Sequence, residues 1–281
     1  MFEMNQLDRR SFLKLSVGGL ALAGPMGQLT EAAAEQNPYG GFKMGIQSYS
    51  LRGLKTTDDA LAKTRELGLR YWESYSAHFP MTDAPATLAE YKKKLADHGI
   101  TLMAYGVQNF GKDTSANRKQ FEFAKAMGIS TISANPEPDS FDNLDKLVEE
   151  FGINIAIHNH GAGDKRYGKI DQVLKAIMNH HERIGACVDT GHYIHADEDP
   201  VKAIEAFGQR TYGVHLKDVK KVGKDYTVLG RGDLDVVGCL KQLKRLKYDL
   251  CLSLEYEGNE KNPIADIREC LAVVQEAVKK V

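Results

Sequence analysis

Cysteine is scarce in this chain, four residues in 281, and no CxxC or Cys/His spacing occurs, which excludes a disulfide scaffold, a zinc knuckle and a redox pair. Cys187 and Cys251 lie inside apolar runs and read as buried thiols. Net charge is nearly absent too, with 37 basic against 38 acidic residues, so no global field draws the protein to nucleic acid or an anionic membrane. Apolar runs are also short. The longest candidate, Leu15 to Ala23, is interrupted by Ser16, Gly18 and Gly19 and followed by Gly24 and Pro25, well below the ~20 apolar residues of a stable membrane anchor. What remains, 42% hydrophobic and 27% charged, is the composition of a globular domain with a sizeable core.

The first 34 residues read as an address. Asp8-Arg9-Arg10-Ser11-Phe12-Leu13-Lys14, the weakly apolar stretch after it and the small-residue run Ala32-Ala33-Ala34 resemble a twin-arginine export signal. That resemblance implies the twin-arginine machinery as a partner, the periplasm as destination, and folding with a cofactor loaded before export. Residues 35–281 are then the folded domain.

Within it one unit repeats. Glu66-Leu67-Gly68-Leu69, Asp97-His98-Gly99-Ile100, Ala126-Met127-Gly128-Ile129 and Glu150-Phe151-Gly152-Ile153 each end a helical pattern on glycine and open an apolar run. The glycines recur at roughly 24–31 residues, about one strand–helix unit. The pattern predicts strands near 43–49, 70–75, 101–106, 130–134, 153–158, 185–189, 212–216 and 250–255, separated by amphipathic stretches such as Thr57–Leu67 and Phe141–Phe151. Eight strand–helix units in a domain of ~250 residues predict an α/β fold, a (β/α)8 barrel. An open doubly wound sheet is the competitor. Gln47-Ser48-Tyr49-Ser50 after the first strand lacks the GxGxxG that a dinucleotide-binding sheet would place there.

Chemistry in such a barrel sits where strands finish, and these strands finish in ligands. The second ends in Trp72-Glu73-Ser74, the fifth in His158-Asn159-His160, the sixth in Asp189-Thr190-Gly191-His192, the seventh in His215-Leu216-Lys217-Asp218 and the eighth in Glu255-Tyr256-Glu257. Strand alternation lets His158 and His160 face the mouth together while Asn159 turns away. Neutral imidazole with carboxylates suits a borderline divalent ion better than Ca²⁺.

The order of DxGH at 189–192, HxKD at 215–218, Leu229-Gly230-Arg231-Gly232 and Leu254-Glu255 resembles the xylose isomerase-like barrel superfamily of sugar (phosphate) isomerases and epimerases. The resemblance implies one divalent ion (Mn²⁺, Zn²⁺, Co²⁺, Fe²⁺ or Mg²⁺, the identity left open) held at the ends of strands five to eight. Asp189, His215 and Glu255 match three of those positions, and the register puts His158 where relatives carry glutamate, with His160 the other choice. Three anionic ligands become two. The resemblance implies a metal-stabilised enediolate chemistry on a sugar or keto-sugar, with Glu255 as base, His160 as acid, and Glu73 as a substrate-hydroxyl ligand or auxiliary base. It places Gln47, Tyr49, His78, His192, Lys217 and Arg231 around the substrate, although Lys217 could equally pair with Asp218. Losing one of two glutamates leaves one base, which suits an isomerase or, equally, a dehydratase or keto-glycoside lyase. The superfamily's abasic-site endonucleases need more metals and a cationic surface than this chain offers. A sugar-binding protein that has lost catalysis is the non-enzymatic alternative. The oligomeric state stays open.

Overall fold

A computed structural model describes residues 37–281. The export reading and its boundary at residue 34 lie outside the described residues. Eight parallel strands close on themselves: β1 (Lys43–Gln47), β2 (Tyr71–Ser74), β3 (Thr101–Phe110), β4 (Thr131–Pro136), β5 (Asn154–His158), β6 (Ile184–Asp189), β7 (Thr211–Leu216) and β8 (Cys251–Leu254). Closure is made by β1, which pairs with β2 through Ile46 and Trp72 and with β8 through Met44 and Leu252. The fold is the expected (β/α)8 barrel.

Helices alternate with the strands: α1 (Thr57–Glu66), α2 (Pro85–Asp97), α3 (Thr114–Met127), α4 (Phe141–Phe151), α5 (Ile170–Ile177), α6 (Thr190–His195), α7 (Pro200–Phe207), α8 (Val236–Arg245) and α9 (Ile264–Val278). Their starts are polar for a local reason. The side chains of Thr56, Asp113 and Asp199 accept the first free amides of α1, α3 and α7. The four helix-stop glycines, Gly68, Gly99, Gly128 and Gly152, take left-handed φ values of 79°, 58°, 75° and 68°, which end each helix and turn the chain into the next strand.

The ends of β1, β3 and β4 depart from the sequence pattern. β1 stops at Gln47 because Gln47 Oε1 accepts the Tyr49 amide and winds Ser48–Leu51 into a single 3-10 turn. β3 runs on to Phe110 through a register shift between Tyr105 and Gln108, pairing its extension with β4 as far as Pro136. A short hairpin, Asp218–Val219 with Tyr226–Thr227, follows β7. All four cysteines are free and buried.

Apolar side chains fill both faces of the strands, and β6 is buried at every position. Here the layers press closely: a Cβ on Gly185 would lie 2.1 Å from the Arg210 carbonyl oxygen. Gly185→Ala should therefore lower the unfolding free energy by about 1–3 kcal/mol in urea titrations. Gly163→Ala, whose Cβ would meet nothing within 4 Å, should stay within about 0.5 kcal/mol of the parent.

Candidate metal centre

The ends of β5, β6, β7 and β8 bring four side chains to one point. His158 and Asp189 are the last residues of β5 and β6, His215 is paired with Asp189 across β6 and β7, and Glu255 follows β8 directly. One ligand atom from each lies within 4.8 Å of the others, and all four residues are buried. His158 Nε2 is 3.1 Å from His215 Nδ1 and 3.4 Å from Asp189 Oδ2, and His215 Nδ1 is 3.1 Å from Glu255 Oε2. Bonds of ~2.1 Å to a tetrahedral ion would place neighbouring ligand atoms about 3.4 Å apart.

Local structure aims these atoms. Asn159, facing away from the mouth, clasps the backbone of Asp189 by donating from Nδ2 to its carbonyl and accepting its amide at Oδ1, at 3.0 and 2.7 Å. Asp189 Oδ1 accepts the His192 amide at the start of α6, so Oδ2 is the oxygen left for the cluster. Asp189 Oδ2 and Glu255 Oε2 are buried, each with the Lys217 ammonium 2.8 Å away. Burial pushes His158 down to about 4, so at neutral pH the ring is uncharged and one of its nitrogens has a free lone pair. Two imidazoles and two carboxylates converging this way fit a divalent ion, which they would leave formally neutral.

Glu73 does not reach the mouth. It is 1% exposed, beneath the four ligands, with Oε1 3.0 Å from His215 Nε2 and Oε2 accepting from Ser253 Oγ at 2.7 Å. The Ser133 hydroxyl also donates to Oε1. Burial opposes ionisation of Glu73, but His215 and the two serines hold its pKa below the ordinary value. This corrects its assignment as a substrate ligand or auxiliary base: the inward register of β2 points it into the barrel, where its carboxylate faces Nε2 of His215 from below while Nδ1 faces the cluster.

Above the ligands lies a cavity of about 230 Å³ whose walls include Gln47, Tyr49, His158, His160, His192, Lys217 and Glu255. His160 sits at its edge, 40% of its side chain exposed and Nδ1 3.3 Å from Asp164 Oδ2, outside the ligand group. Lys217 is 2% exposed and its ammonium lies 2.8 Å from both Asp189 Oδ2 and Glu255 Oε2 while closing on Glu257. Burial opposes that charge, but the three carboxylates carry its pKa well above the ordinary value. Burial likewise opposes ionisation of Glu255, and Lys217 with His215 nevertheless holds it at about 2.

Two expected wall residues lie elsewhere. His78 folds back to Ser48 Oγ at 2.9 Å and packs against Trp72 and Tyr75, so Tyr75 forms the wall in its place. Arg231 is drawn outward to Glu269 Oε2 at 2.5 Å, its side chain 62% exposed. Lys217 does not pair with Asp218, whose carboxylate is taken by backbone amides. Glu257 joins the site without having been singled out as a site residue, although its position two residues past Glu255 on an alternating strand end was the available signal.

Comparison with known proteins agrees with this architecture. The family model described as xylose isomerase-like TIM barrel matches residues 61–277. Inosose dehydratase of Clostridium beijerinckii is 23% identical over 263 residues, covering 83% of this chain and 88% of its own. A putative uncharacterized protein from Parabacteroides distasonis superposes with a TM-score of 0.65 at 30% identity, over 84% of this chain and 98% of the other. The IolI protein, solved with a zinc atom bound, superposes with a TM-score of 0.67 at 16% identity, over 84% and 98%, a likeness of fold.

Glu73→Gln tests the layer beneath the ligands. It should weaken divalent-metal affinity by ~10–100-fold, read by competition against a chromogenic chelator, with the melting transition still cooperative.

Proposed function

This chain belongs to the xylose isomerase-like TIM barrel family, and from that premise we propose that it is a divalent-metal-dependent enzyme acting on the carbon beside a sugar carbonyl. The carrying observation is the buried convergence of His158 Nε2, Asp189 Oδ2, His215 Nδ1 and Glu255 Oε2 under a sugar-sized cavity. A divalent ion held by those atoms supplies a Lewis acid for the substrate carbonyl. Zinc in the IolI protein supports the choice of a borderline ion.

Glu255 takes the proton. It commits Oε2 to the cluster and lines the cavity, leaving Oε1 to accept the α-hydrogen. A carboxylate held at about 2 is a weak base, so the transfer needs a carbonyl that is strongly polarised and a proton that is already acidified. The electron pair released from carbon passes to the carbonyl oxygen. His160, at the open edge of the cavity, is placed to return a proton.

Reprotonation of carbon completes an isomerisation; expulsion of a β-hydroxyl or β-glycosyl oxygen, protonated as it leaves, completes a dehydration or a keto-glycoside lyase reaction. His158 favours elimination. A two-base epimerase needs a carboxylate on each face of the substrate, and here, by the family resemblance, His158, an imidazole held at about 4, takes the place of the second one. The inosose dehydratase relatives are named for an elimination of this kind. The export-signal resemblance of residues 8–14 supports a periplasmic location, which sequencing the amino terminus of protein recovered from the cell envelope would test: processing near residue 34 agrees, and an intact Met1 does not.

Assay of metal-loaded protein against keto-glycosides, inososes and simple ketoses tests the reading. Elimination should outrun epimerisation of free ketoses, chelation should abolish it, and returning the ion should restore it. No turnover by a protein that retains its ion would favour a binding protein. Glu255→Gln should lower kcat by at least ~10²-fold in the fraction of protein that metal analysis shows still holds its ion, because Glu255 is also a ligand and a loss that tracked metal release would not report on proton transfer. His158→Glu should raise epimerisation at the expense of elimination, and the opposite shift would overturn the elimination reading.

A further inference from the structure

Sites for phosphorylated sugars supply the anion with two kinds of donor: a free cation, and backbone N–H groups in glycine-rich loops near the last barrel strands. This chain has both, and its own carboxylates occupy both. Lys217 is the lysine or arginine lining the cavity among the described residues. Its buried ammonium already faces Asp189, Glu255 and Glu257.

The glycine-rich loop after β7 is filled as well. Asp218, 2% exposed, accepts the amides of Gly230 and Gly232 at Oδ2, at 2.8 and 3.0 Å, and those of Val219 and Leu234 at Oδ1, at 2.8 and 3.0 Å. A Cβ on Gly232 would lie 2.2 Å from that carboxylate, so the loop is shaped around it. Arg52, the next cation outward, lies over the Tyr49 ring at 4.3 Å and donates to Glu260, Tyr49 O and Glu257 O. Arg231 is paired with Glu269 outside the site.

We propose that this site, read as a sugar site as above, is built for uncharged sugars and rejects phosphorylated or carboxylated ones, with Glu257 as the residue that enforces the choice. Among the described residues, a substrate phosphate in the cavity would meet the Glu257 carboxylate with no uncommitted cation beside it, and desolvating an unpaired dianion is costly. A neutral sugar meets no such penalty. Its hydroxyls can donate to Glu257 and exchange hydrogen bonds with the Gln47 amide, and its apolar face can rest on the Tyr49 and Tyr75 rings, which pack edge to face at 5.1 Å.

The test is calorimetric titration of a free ketohexose and its 6-phosphate into metal-loaded wild type, Glu257→Gln and Glu257→Asp. Wild type should bind the free ketose at least about tenfold tighter than the phosphate. Glu257→Gln, which releases one counter-ion of Lys217, should erase most of that preference through tighter phosphate binding, and Glu257→Asp should keep it. Equal or tighter binding of the phosphate by wild type, or a preference unchanged in Glu257→Gln, overturns the inference and leaves the metal-enzyme reading standing. A metal-loaded wild type that binds neither ligand overturns the sugar-site reading and the inference with it.

Discussion

Glu73, Asp189 and Glu255 are buried at the carboxyl end of one barrel with Glu257 half-buried beside them, and carboxylates this close, largely away from water, repel one another unless positive charge lies between them. The arrangement around them answers that constraint. Lys217 stands among three of them, and His215 lies between Glu73 below and Glu255 beside it. Asp189 Oδ2, His158 Nε2, His215 Nδ1 and Glu255 Oε2 are the atoms turned toward a common point, where a divalent ion would neutralise the two ligand carboxylates.

From that balance follows a division of labour by depth. The lowest layer, Glu73 with Ser133 and Ser253, lies beneath the cavity and faces His215 Nε2 at 3.0 Å. The middle layer is the ligand cluster. The upper layer, from Gln47 and Tyr49 to His160 and Glu257, meets the sugar. Side chains that capture backbone hold two of these groups: Asn159 clasps the Asp189 backbone, and Thr190 Oγ1 donates to the Lys217 carbonyl at 2.6 Å and accepts its amide at 2.9 Å. Precise placement of a polar cluster needs such ties, because a loose charge in a low-dielectric setting would take up another partner.

Strand-end chemistry was legible in the primary structure because a parallel barrel repeats. Glycine stops, apolar runs of period two and helical stretches of period 3.6 are local properties, and together they specify eight strand–helix units and which residues end each strand. Asp189, His215 and Glu255 could be named as strand-end candidates for that reason, whereas His158 was chosen over His160 by the family resemblance. What local pattern does not carry is depth and direction. Glu73 and His158 both lie at strand ends, yet one points beneath the cluster and the other into it, since the stagger of neighbouring strands sets the height of each end along the barrel axis.

Loops escape such reading further still. His78 and Arg231 follow strands and carry suitable chemistry, yet one is drawn back to Ser48 and the other outward to Glu269, partners 30 and 38 residues away. Asp218 turns to the amides of Gly230, Gly232 and Leu234 because the hairpin after β7 brings that loop back over it. The amino-acid sequence by itself determined the repeat, the barrel and the order of polar residues around its mouth. Tertiary structure alone decided which of them meet, because convergence at one point depends on strand stagger and on competition among partners that are distant along the chain.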